Sequence, residues 1–410
     1  MTAVSELQEA LAAAAARVDV TPLAASTLCD PCLGRLFAKV GKGTNRERGA
    51  ILRTRFAVGA GPCAVCGGLL AEVDRLAALA ADALKAVEFD TFQIGSRVDP
   101  TILVAEEALW AKLPGVEPET IKGELNREIG KRVADLAGKE PDLRRPNVTA
   151  IVDTQFDTVD LTVAPVFFAG RYRKLDRGIP QTRWPCRVCG GRGCPRCGGT
   201  GKMYATSVEE IVAAPLMEAL GGQGHALHGM GREDIDARML GRGRPFVVEI
   251  SAPRRRTGDL TAVTAAIQAS GTVEVDGLRP SSFDEVLRIK EDRCDKTYRV
   301  AVGSPPVEEG KVKEALSALA AALIEQRTPA RVAHRRGDAV RRRHVRGARL
   351  TTFAGTGFEL EVTAEAGTYV KELVHGDGGR TVPSLSGLLG VPLEVLELDV
   401  LEVHDEARPW

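Results

Sequence analysis

The chain has 410 residues, and its 55 lysines and arginines balance 55 aspartates and glutamates, so the formal net charge is zero. This length allows two or three domains with separate cores. The balanced charge excludes a uniformly basic nucleic-acid binder, so any such function must rest on local clusters. No apolar stretch approaches the roughly 20 residues that span a bilayer, and the alanine-rich N-terminal helix carries acids, unlike a signal peptide. We expect a soluble, cytoplasmic protein without a membrane partner.

The first two C-x-x-C pairs stand in "LCDPCLGR" and "GPCAVCGG". Two thiolates separated by two residues on a tight turn can face one tetrahedral ion, and a second such turn completes a structural zinc site. A redox disulfide or inert thiols are the alternatives. We predict a zinc-binding module in residues 1–70, with the ligands Cys29, Cys32, Cys63 and Cys66.

An α/β module is predicted over residues 71–183. Apolar residues recur at helical spacing in residues 69–87, "FDTFQIGS" indicates a strand, and residues 118–138 indicate an amphipathic helix with a basic face. Two alternating runs broken near Asp157 predict a hairpin. The module closes on "GRYRKLDRG", in which a tyrosine stands among cations. There we expect phosphate binding and base stacking, against a solvated strand end, by Arg171, Tyr172, Arg173 and Lys174.

A second cysteine-rich stretch, residues 184–205, contains "WPCRVCGGRGCPRCGGTGK". Its glycines permit tight turns beside the sulfurs, but only four residues separate its pairs, which constrains tetrahedral closure. The repeats are similar to those of DnaJ co-chaperones, which carry four such repeats and a J-domain with an HPD turn that this chain lacks. Metal binding is therefore a hypothesis that stays open for Cys186, Cys189, Cys194 and Cys197.

A new unit, residues 206–410, begins with the helical pattern "SVEEIVAAPLMEAL". The stretch "GREDIDARMLGRGRPFVVEI" follows, in which acids and arginines precede an apolar strand. These charges either serve only solubility or hold Asp234 among cations for a purpose that the pattern alone does not reveal.

Residues 327–349 hold nine arginines, two histidines and one acid, which leaves eight net positive charges when the histidines are neutral. Like charges at this density repel each other unless an anion lies over them. A solvated basic loop is the alternative. Arginine suits bidentate phosphate or base contacts, so we predict RNA binding here, by Arg335, Arg336, Arg341, Arg342 and Arg343.

Several motifs together resemble the archaeal tRNA pseudouridine synthases that act at positions 54 and 55 of the T-loop. In the C-terminal half these motifs are "GREDIDARMLGRGRPF", "CDKTYRVAV", "TPARVAHRR" and "AGTYVKELVHGDGGRTVPSLSGLLG". In the N-terminal half, "CDPCLGR", "NREIGKRV" and "GRYRKLDRGIPQTRWPC" are similar to the zinc-bearing THUMP-type region of that family. The resemblance runs from about residue 26 to the C-terminus.

The resemblance implies a site for isomerising uridine to pseudouridine. Arg232 and Asp234 match the R-x-D motif, which makes Asp234 the catalytic aspartate and nucleophile, although it would either add to the sugar or take a proton from it. Asp236 lies out of that register and is a second candidate. Lys371 matches the cation beside the aspartate, and its alternative is a lysine at the end of an element.

The same resemblance implies two substrate-binding tyrosines. Tyr298 matches the tyrosine that lies against the target uracil, and Tyr369 matches a second substrate contact. Buried aromatic packing is the alternative for each. The reaction needs no organic cofactor, so structural zinc is the only cofactor expected. The implied partner is tRNA, without an obligatory protein partner.

The implied fold class is α+β, with a catalytic domain built on a mixed, mainly antiparallel sheet that an active-site cleft crosses. Two other functions stay open: a zinc-bearing THUMP-type methyltransferase and a non-catalytic RNA-binding adaptor. The stretch "FAGTG" resembles a glycine loop of methyltransferases, but the residues after it alternate like a strand, which predicts a hairpin turn.

Overall fold

The structure, a computed structural model, describes residues 3–24, 26–56, 58–59, 61–333 and 337–405. The chain divides into two compact units, residues 1–164 with 254–256 and residues 165–253 with 257–410. This division falls earlier than the predicted boundary at residue 183, because the strand that follows residue 165 pairs with strands of the second unit.

The first unit combines helices with a small mixed sheet around one apolar core. Its helices are α1 (Ala3–Ala15), α2 (Thr21–Ala24), α3 (Asp30–Gly34), α4 (Asn45–Phe56), α5 (Val73–Leu84), α6 (Pro100–Trp110) and α7 (Ile121–Ala137). Its strands are β1 (Thr91–Arg97), β2 (Glu140–Pro141), β3 (Val148–Asp153) and β4 (Thr158–Val163).

The strand order in this sheet is β2-β1-β3-β4, in which β1 is parallel to both neighbours and β3 is antiparallel to β4. The predicted hairpin is therefore confirmed, and Asp157 stands in its turn with a φ of 53°. Helices α5 and α7 pack on the sheet because both present an apolar stripe at helical spacing.

The second unit is built on one large sheet. Its strands are β5 (Val166–Lys174), β6 (Gly224–Gly229), β7 (Ala237–Ser251), β8 (Val273–Ser281), β9 (Lys296–Gly303), β10 (Leu323–Arg327), β11 (Val340–Phe353), β12 (Gly357–Ala364), β13 (Thr381–Val382) and β14 (Glu394–Val403). Its helices are α8 (Val208–Leu220), α9 (Leu260–Gln268), α10 (Phe283–Glu291), α11 (Glu309–Ala321), α12 (Val370–His375) and α13 (Leu385–Leu389).

The strand order in this sheet is β13-β10-β11-β12-β9-β14-β7-β5-β8, and β6 pairs with β7. Strand β14 runs parallel to β7, and the other registered pairs are antiparallel. This arrangement confirms the α+β class and the mixed, mainly antiparallel sheet. Strands β11 and β12 form an antiparallel pair, so the glycines of "FAGTG" do form a hairpin turn.

Side-chain alternation on the central strands directs apolar residues into two cores of this unit. On β9, Val300 and Val302 are buried, and the half-buried Tyr298, on the same face, packs against both cores. Strand β7 begins at Ala237, immediately after the segment with the acids and arginines. The order of β9, β14 and β7 therefore brings that segment close to Tyr298. Among the helices of the described residues, none is long and apolar enough to cross a bilayer.

Candidate active site

The R-x-D segment forms a loop between β6 and β7 and rests on a buried ion pair. Arg244 donates from Nε to Glu233 Oε2 at 2.9 Å and from Nη1 to the carbonyl oxygen of Met230 at 2.6 Å. Both side chains of the ion pair are at most 1% exposed. Burial lowers the pKa of Arg244, but the Glu233 charge outweighs it and raises the pKa overall. The middle residue of the motif therefore anchors the loop to the core.

Tyr172 completes this buried network from β5. Its hydroxyl lies 2.9 Å from both carboxylate oxygens of Glu233, and Gln181 Nε2 donates to the hydroxyl oxygen at 2.8 Å. The same amide donates to the carbonyl oxygen of Gly231 at 3.0 Å. Burial, followed by the Glu233 charge, raises the pKa of Tyr172 well above its usual value, so the phenol stays neutral.

Lys174 holds the other end of the loop. Its Nζ donates to the carbonyl oxygens of Ile179 at 2.9 Å, Ile235 at 2.8 Å and Asp234 at 3.3 Å. The prediction that Tyr172 and Lys174 contact RNA is wrong, because both side chains are fully buried and hydrogen-bonded inside the protein. The sequence pattern indicated a tyrosine among cations but not the direction in which these side chains point.

Asp234 faces two cations from distant parts of the chain. Arg331 lies in a short 3-10 helix, Ala330–Val332, and its Nη1 lies 3.1 Å from the Asp234 carboxylate. Lys371, on α12, places Nζ 3.6 Å from Asp234 Oδ2. The same ammonium lies 2.6 Å from Asp236 Oδ2. The structure therefore brings together both aspartates of the motif with two cations, and the Asp234 side chain stays 35% exposed.

Tyr298 stands beside these charges on β9. It is half-buried, and burial, partly offset by Arg244 and reinforced by Asp234, raises its pKa to about 12. Its hydroxyl is therefore neutral at physiological pH. Tyr369 is half-buried at the start of α12, where its backbone N–H donates to Gln326 Oε1 at 2.9 Å and its carbonyl oxygen accepts from Gln326 Nε2 at 3.0 Å.

Arg232 is exposed, and its guanidinium carbon lies 5.3 Å from the ring centroid of Trp184. This distance is that of a cation–π contact. The first residue of the R-x-D motif is thus held against the start of the second cysteine-rich stretch.

Comparisons with known proteins identify the family of this chain. The family model "Pus10, C-terminal" matches residues 167–404, and "Pus10 THUMP domain, archaeal" matches residues 76–153. The chain belongs to the Pus10 family. The tRNA pseudouridine synthase Pus10 of Methanothrix thermoacetophila is 44% identical over 92% of this chain and 91% of that protein.

Pus10 proteins of two other organisms have a similar sequence identity to this chain. The tRNA pseudouridine synthase Pus10 of Halorubrum lacusprofundi is 43% identical over 93% of this chain and 95% of that protein. The Pyrococcus furiosus protein of the same name is 40% identical over 93% of this chain and 96% of that protein. Family membership confirms the resemblance read from the motifs, including the THUMP region and the pseudouridine synthase class.

The predicted basic residues of β5 are paired inside this Pus10-family chain. Arg171 donates to Asp405 Oδ2 at 2.6 Å and to the backbone carbonyl of Gly243 at 2.9 Å. Arg173 lies 2.7 Å from Glu274 and 2.6 Å from Asp276. Each guanidinium has carboxylate partners, so this stretch does not present the unpaired cations that the sequence suggested.

The arginines of β11 alternate between two faces because they are consecutive on a strand. Arg342 is exposed and lies 2.9 Å from Glu325. Arg341 and Arg343 pair in register with Gln326 and Ile324, on the opposite face. That face includes Gln326, the partner of Tyr369. The predicted residues Arg335 and Arg336 lie outside the described residues.

Two groups of four cysteines among the described residues could each hold a metal ion. In both groups the sulfurs lie within 4.8 Å of one another. Individual separations are 3.6 Å for Cys29–Cys66 and 3.7 Å for Cys194–Cys197. A tetrahedral zinc with Zn–S bonds of 2.3 Å requires sulfur separations of about 3.8 Å, so both donor sets fit.

The short connection in the second group closes because of its glycines. Gly193 has a φ of 92° and Gly201 a φ of 68°. A Cβ atom would lie 2.6 Å from the Gly199 carbonyl oxygen at Gly193 and 2.2 Å from the Gly191 carbonyl oxygen at Gly201. Only glycine fits at these two positions, and the compact turns bring the four sulfurs together.

Three supporting residues escaped the sequence reasoning. Arg331 stands in "TPARVAHRR", where the sequence pattern indicated only a cluster of basic residues. Glu372 stands next to Lys371, and Arg244 stands in "GRGRPF". The signal that could have identified them is their position inside motifs that already pointed to the site.

We expect Arg244→Met to lower the free energy of unfolding by about 3 to 5 kcal/mol, because Glu233 would remain buried without its cation. Chemical unfolding followed by circular dichroism measures the change. Arg349→Met is the control: its exposed pair with Glu361 should contribute about 1 kcal/mol or less. Equal effects of the two substitutions would contradict the anchoring role of the Glu233–Arg244 pair.

Proposed function

We propose that this protein isomerises uridine to pseudouridine at position 54, position 55 or both in the T-loop of tRNA, with Asp234 as the catalytic carboxylate. The observation that carries the proposal is the convergence of Asp234, Tyr298 and two cations in one exposed site of a Pus10-family chain. In the reaction the N1–C1′ bond breaks, the base rotates and a C5–C1′ bond forms. C5 loses a proton and N1 gains one, so no organic cofactor is required.

Asp234 suits this role better than Asp236 for two reasons. Asp234 is bound by Arg331 and remains 35% exposed towards an incoming nucleotide. Asp236 is 66% exposed and forms its close contact with Lys371. Burial tends to raise the pKa of Asp236, but the hydrogen bond from Lys371 outweighs it, so the pKa lies below its usual value. We assign Asp236 to holding Lys371.

Tyr298 is assigned to the target uracil. Because its pKa is about 12, the ring is neutral and can pack on a base, while the hydroxyl can donate a hydrogen bond. The target nucleotide has to leave its stack to reach Asp234, as in other enzymes that act on bases. Tyr369 is assigned to a second substrate contact because the Gln326 pair fixes its backbone at the start of α12.

We assign the face of Arg341 and Arg343 to tRNA backbone contacts. This face lies on the same side of β10 and β11 as Gln326, which binds Tyr369. A Cβ at Gly367, two residues before Tyr369, would lie 3.3 Å from Arg343 Nη2, so this guanidinium borders the loop that precedes α12. The tRNA would thus meet these cations beside the proposed uridine pocket. We also propose that the protein acts in the cytoplasm and needs no obligatory protein partner.

Structural zinc is assigned to both cysteine groups. Zinc would be held by the four thiolates of each group and would stabilise the local turns without taking part in the reaction. The second group lies between Trp184, which binds Arg232, and the start of α8. Its proposed role is to stabilise the stretch that borders the R-x-D loop.

The central test replaces the two aspartates separately. Asp234→Asn keeps the shape of the side chain but removes the nucleophile or base, so pseudouridine formation should stop while tRNA affinity is retained. Asp236→Asn should retain turnover. Tritium release from uridine-labelled tRNA and filter binding measure the two quantities, and mapping of the product identifies the modified position. Turnover by Asp234→Asn combined with an inactive Asp236→Asn would show that the carboxylates are exchanged in this assignment.

Salt dependence tests the proposed tRNA surface. Each phosphate contact contributes about 0.7 to 0.9 to the slope of log affinity against log salt, so Arg341→Gln with Arg343→Gln should flatten the slope by roughly twice this amount. Arg342→Gln, on the other face and already paired with Glu325, should change it less. A larger effect of Arg342→Gln would place the tRNA on the opposite face.

Metal analysis tests the zinc assignment. The purified full chain should contain two zinc ions, and Cys29→Ser with Cys32→Ser, or Cys186→Ser with Cys189→Ser, should each remove one. Cys294→Ser is the control and should leave the metal content unchanged. A cooperatively folded full chain that contains no metal would refute the assignment.

A further inference from the structure

We propose that Arg331, fixed by the buried carboxylate of Glu372, is the positioning residue that orients Asp234 for the reaction. Lys371, which the family resemblance places beside the aspartate, is instead divided between two carboxylates. This inference rests on the proposed function and adds two residues to it. Neither residue needs to touch the uridine, because both act through Asp234.

The Arg331 guanidinium bridges two carboxylates with different edges. Its Nε donates to Glu372 Oε1 at 2.6 Å, and Nη2 lies 3.4 Å from Glu372 Oε2. Its Nη1 lies 3.1 Å from both carboxylate oxygens of Asp234. Because Glu372 holds the planar guanidinium through Nε and Nη2, the remaining Nη1 points towards Asp234 in a fixed direction. The orientation of Asp234 is therefore coupled to the position of Glu372.

Glu372 is the fixed end of this chain of contacts. Its side chain is 1% exposed, whereas those of Arg331 and Asp234 are 39% and 35% exposed. A buried carboxylate is retained only where a cation compensates it. Burial lowers the pKa of Arg331, but the bonds to Glu372 and the charge of Asp234 outweigh it and hold the pKa above its usual value. The Arg331 guanidinium thus stays charged.

Lys371 is less suited to this role. Its ammonium lies 2.6 Å from Asp236 and 3.6 Å from Asp234, so its closer contact is with the other aspartate. An ammonium on a flexible stem also lacks the fixed plane of a guanidinium. Among these five side chains, three carboxylates face two cations. Loss of Arg331 would therefore leave three carboxylates and one cation among these side chains.

The segment around Arg331 is itself held in place. The N–H of Ala330 donates to Asp377 Oδ2 at 2.9 Å, and the Arg380 guanidinium donates to the carbonyl oxygen of Thr328 from Nη2 at 2.6 Å. Thr328 also donates its N–H to the carbonyl oxygen of Ala339 at 2.9 Å. These bonds connect the 3-10 helix to the residues after α12 and to the start of β11. Arg331 thus projects from a supported segment.

The experiment compares substitutions along the bridge under single-turnover conditions. Arg331→Ala should reduce the rate of pseudouridine formation by about 100-fold, the loss that a displacement of about 1 Å causes, while the tRNA dissociation constant stays unchanged. Added guanidinium ion should restore part of this rate with saturation, because it can occupy the space between Glu372 and Asp234. Arg331→Lys should also be impaired, since one ammonium cannot reproduce the fork.

Glu372→Gln is the second variant and keeps the shape of the side chain. We expect it to slow the single-turnover rate without changing tRNA affinity, and guanidinium ion should not rescue it, because Arg331 is still present. The matched controls are Arg279→Ala and Glu285→Gln. That pair also joins a half-exposed arginine to a nearly buried glutamate, on β8 and α10 at the other edge of the sheet. Neither control should alter the rate.

The outcomes separate this inference from the proposed function. Pseudouridine formation by the unaltered protein is measured first, and its absence in unmodified tRNA would refute the proposed function itself. With an active unaltered protein, an Arg331→Ala variant that keeps the full rate would overturn the inference. A loss confined to tRNA affinity would also overturn it, because Arg331 would then be an RNA contact.

Discussion

The ion pair between Glu233 and Arg244 is the interaction on which the candidate site depends. Both side chains are almost completely removed from solvent, and a charge buried in this way is stable only with its partner and its hydrogen bonds in place. Because Glu233 lies between Arg232 and Asp234, the pair directs the middle residue inwards and leaves its neighbours at the surface. The loop therefore presents Asp234 from a fixed base.

The supporting groups around this pair come from distant segments. Tyr172 and Lys174 lie on β5, Gln181 follows that strand, and Arg244 lies on β7. They bind the Glu233 carboxylate or the backbone carbonyls of the loop, so hydrogen bonds from the interior anchor the loop. A site built in this way is preorganised, because most of its polar groups are oriented before a substrate arrives.

The charged side chains around Asp234 form two connections that differ in their exposure to solvent. Arg331 connects Asp234 to the interior through Glu372, and Lys371 connects Asp234 to the more exposed Asp236. The first contact joins the loop to the core of the unit, and the second lies closer to solvent. This difference gives the two aspartates of one short motif different surroundings, which is the physical reason for assigning them different roles.

The motifs indicated the family, and the family resemblance implied the mixed sheet. Local patterns in the sequence predicted both cysteine groups, the hairpin of β3 and β4 and the segment that contains Asp234. These features depend on local spacing: C-x-x-C pairs, alternating strands and contiguous motifs are readable without knowing which segments meet. The direction in which each side chain points follows from the packing of the folded chain. This packing places Tyr172 and Lys174 in the interior, and it puts Arg341 and Arg343 on the face of β11 opposite to Arg342. It also brings Arg331 between Asp234 and Glu372. Those relations depend on strand order and on contacts between residues far apart in the chain, and local spacing contains no record of them.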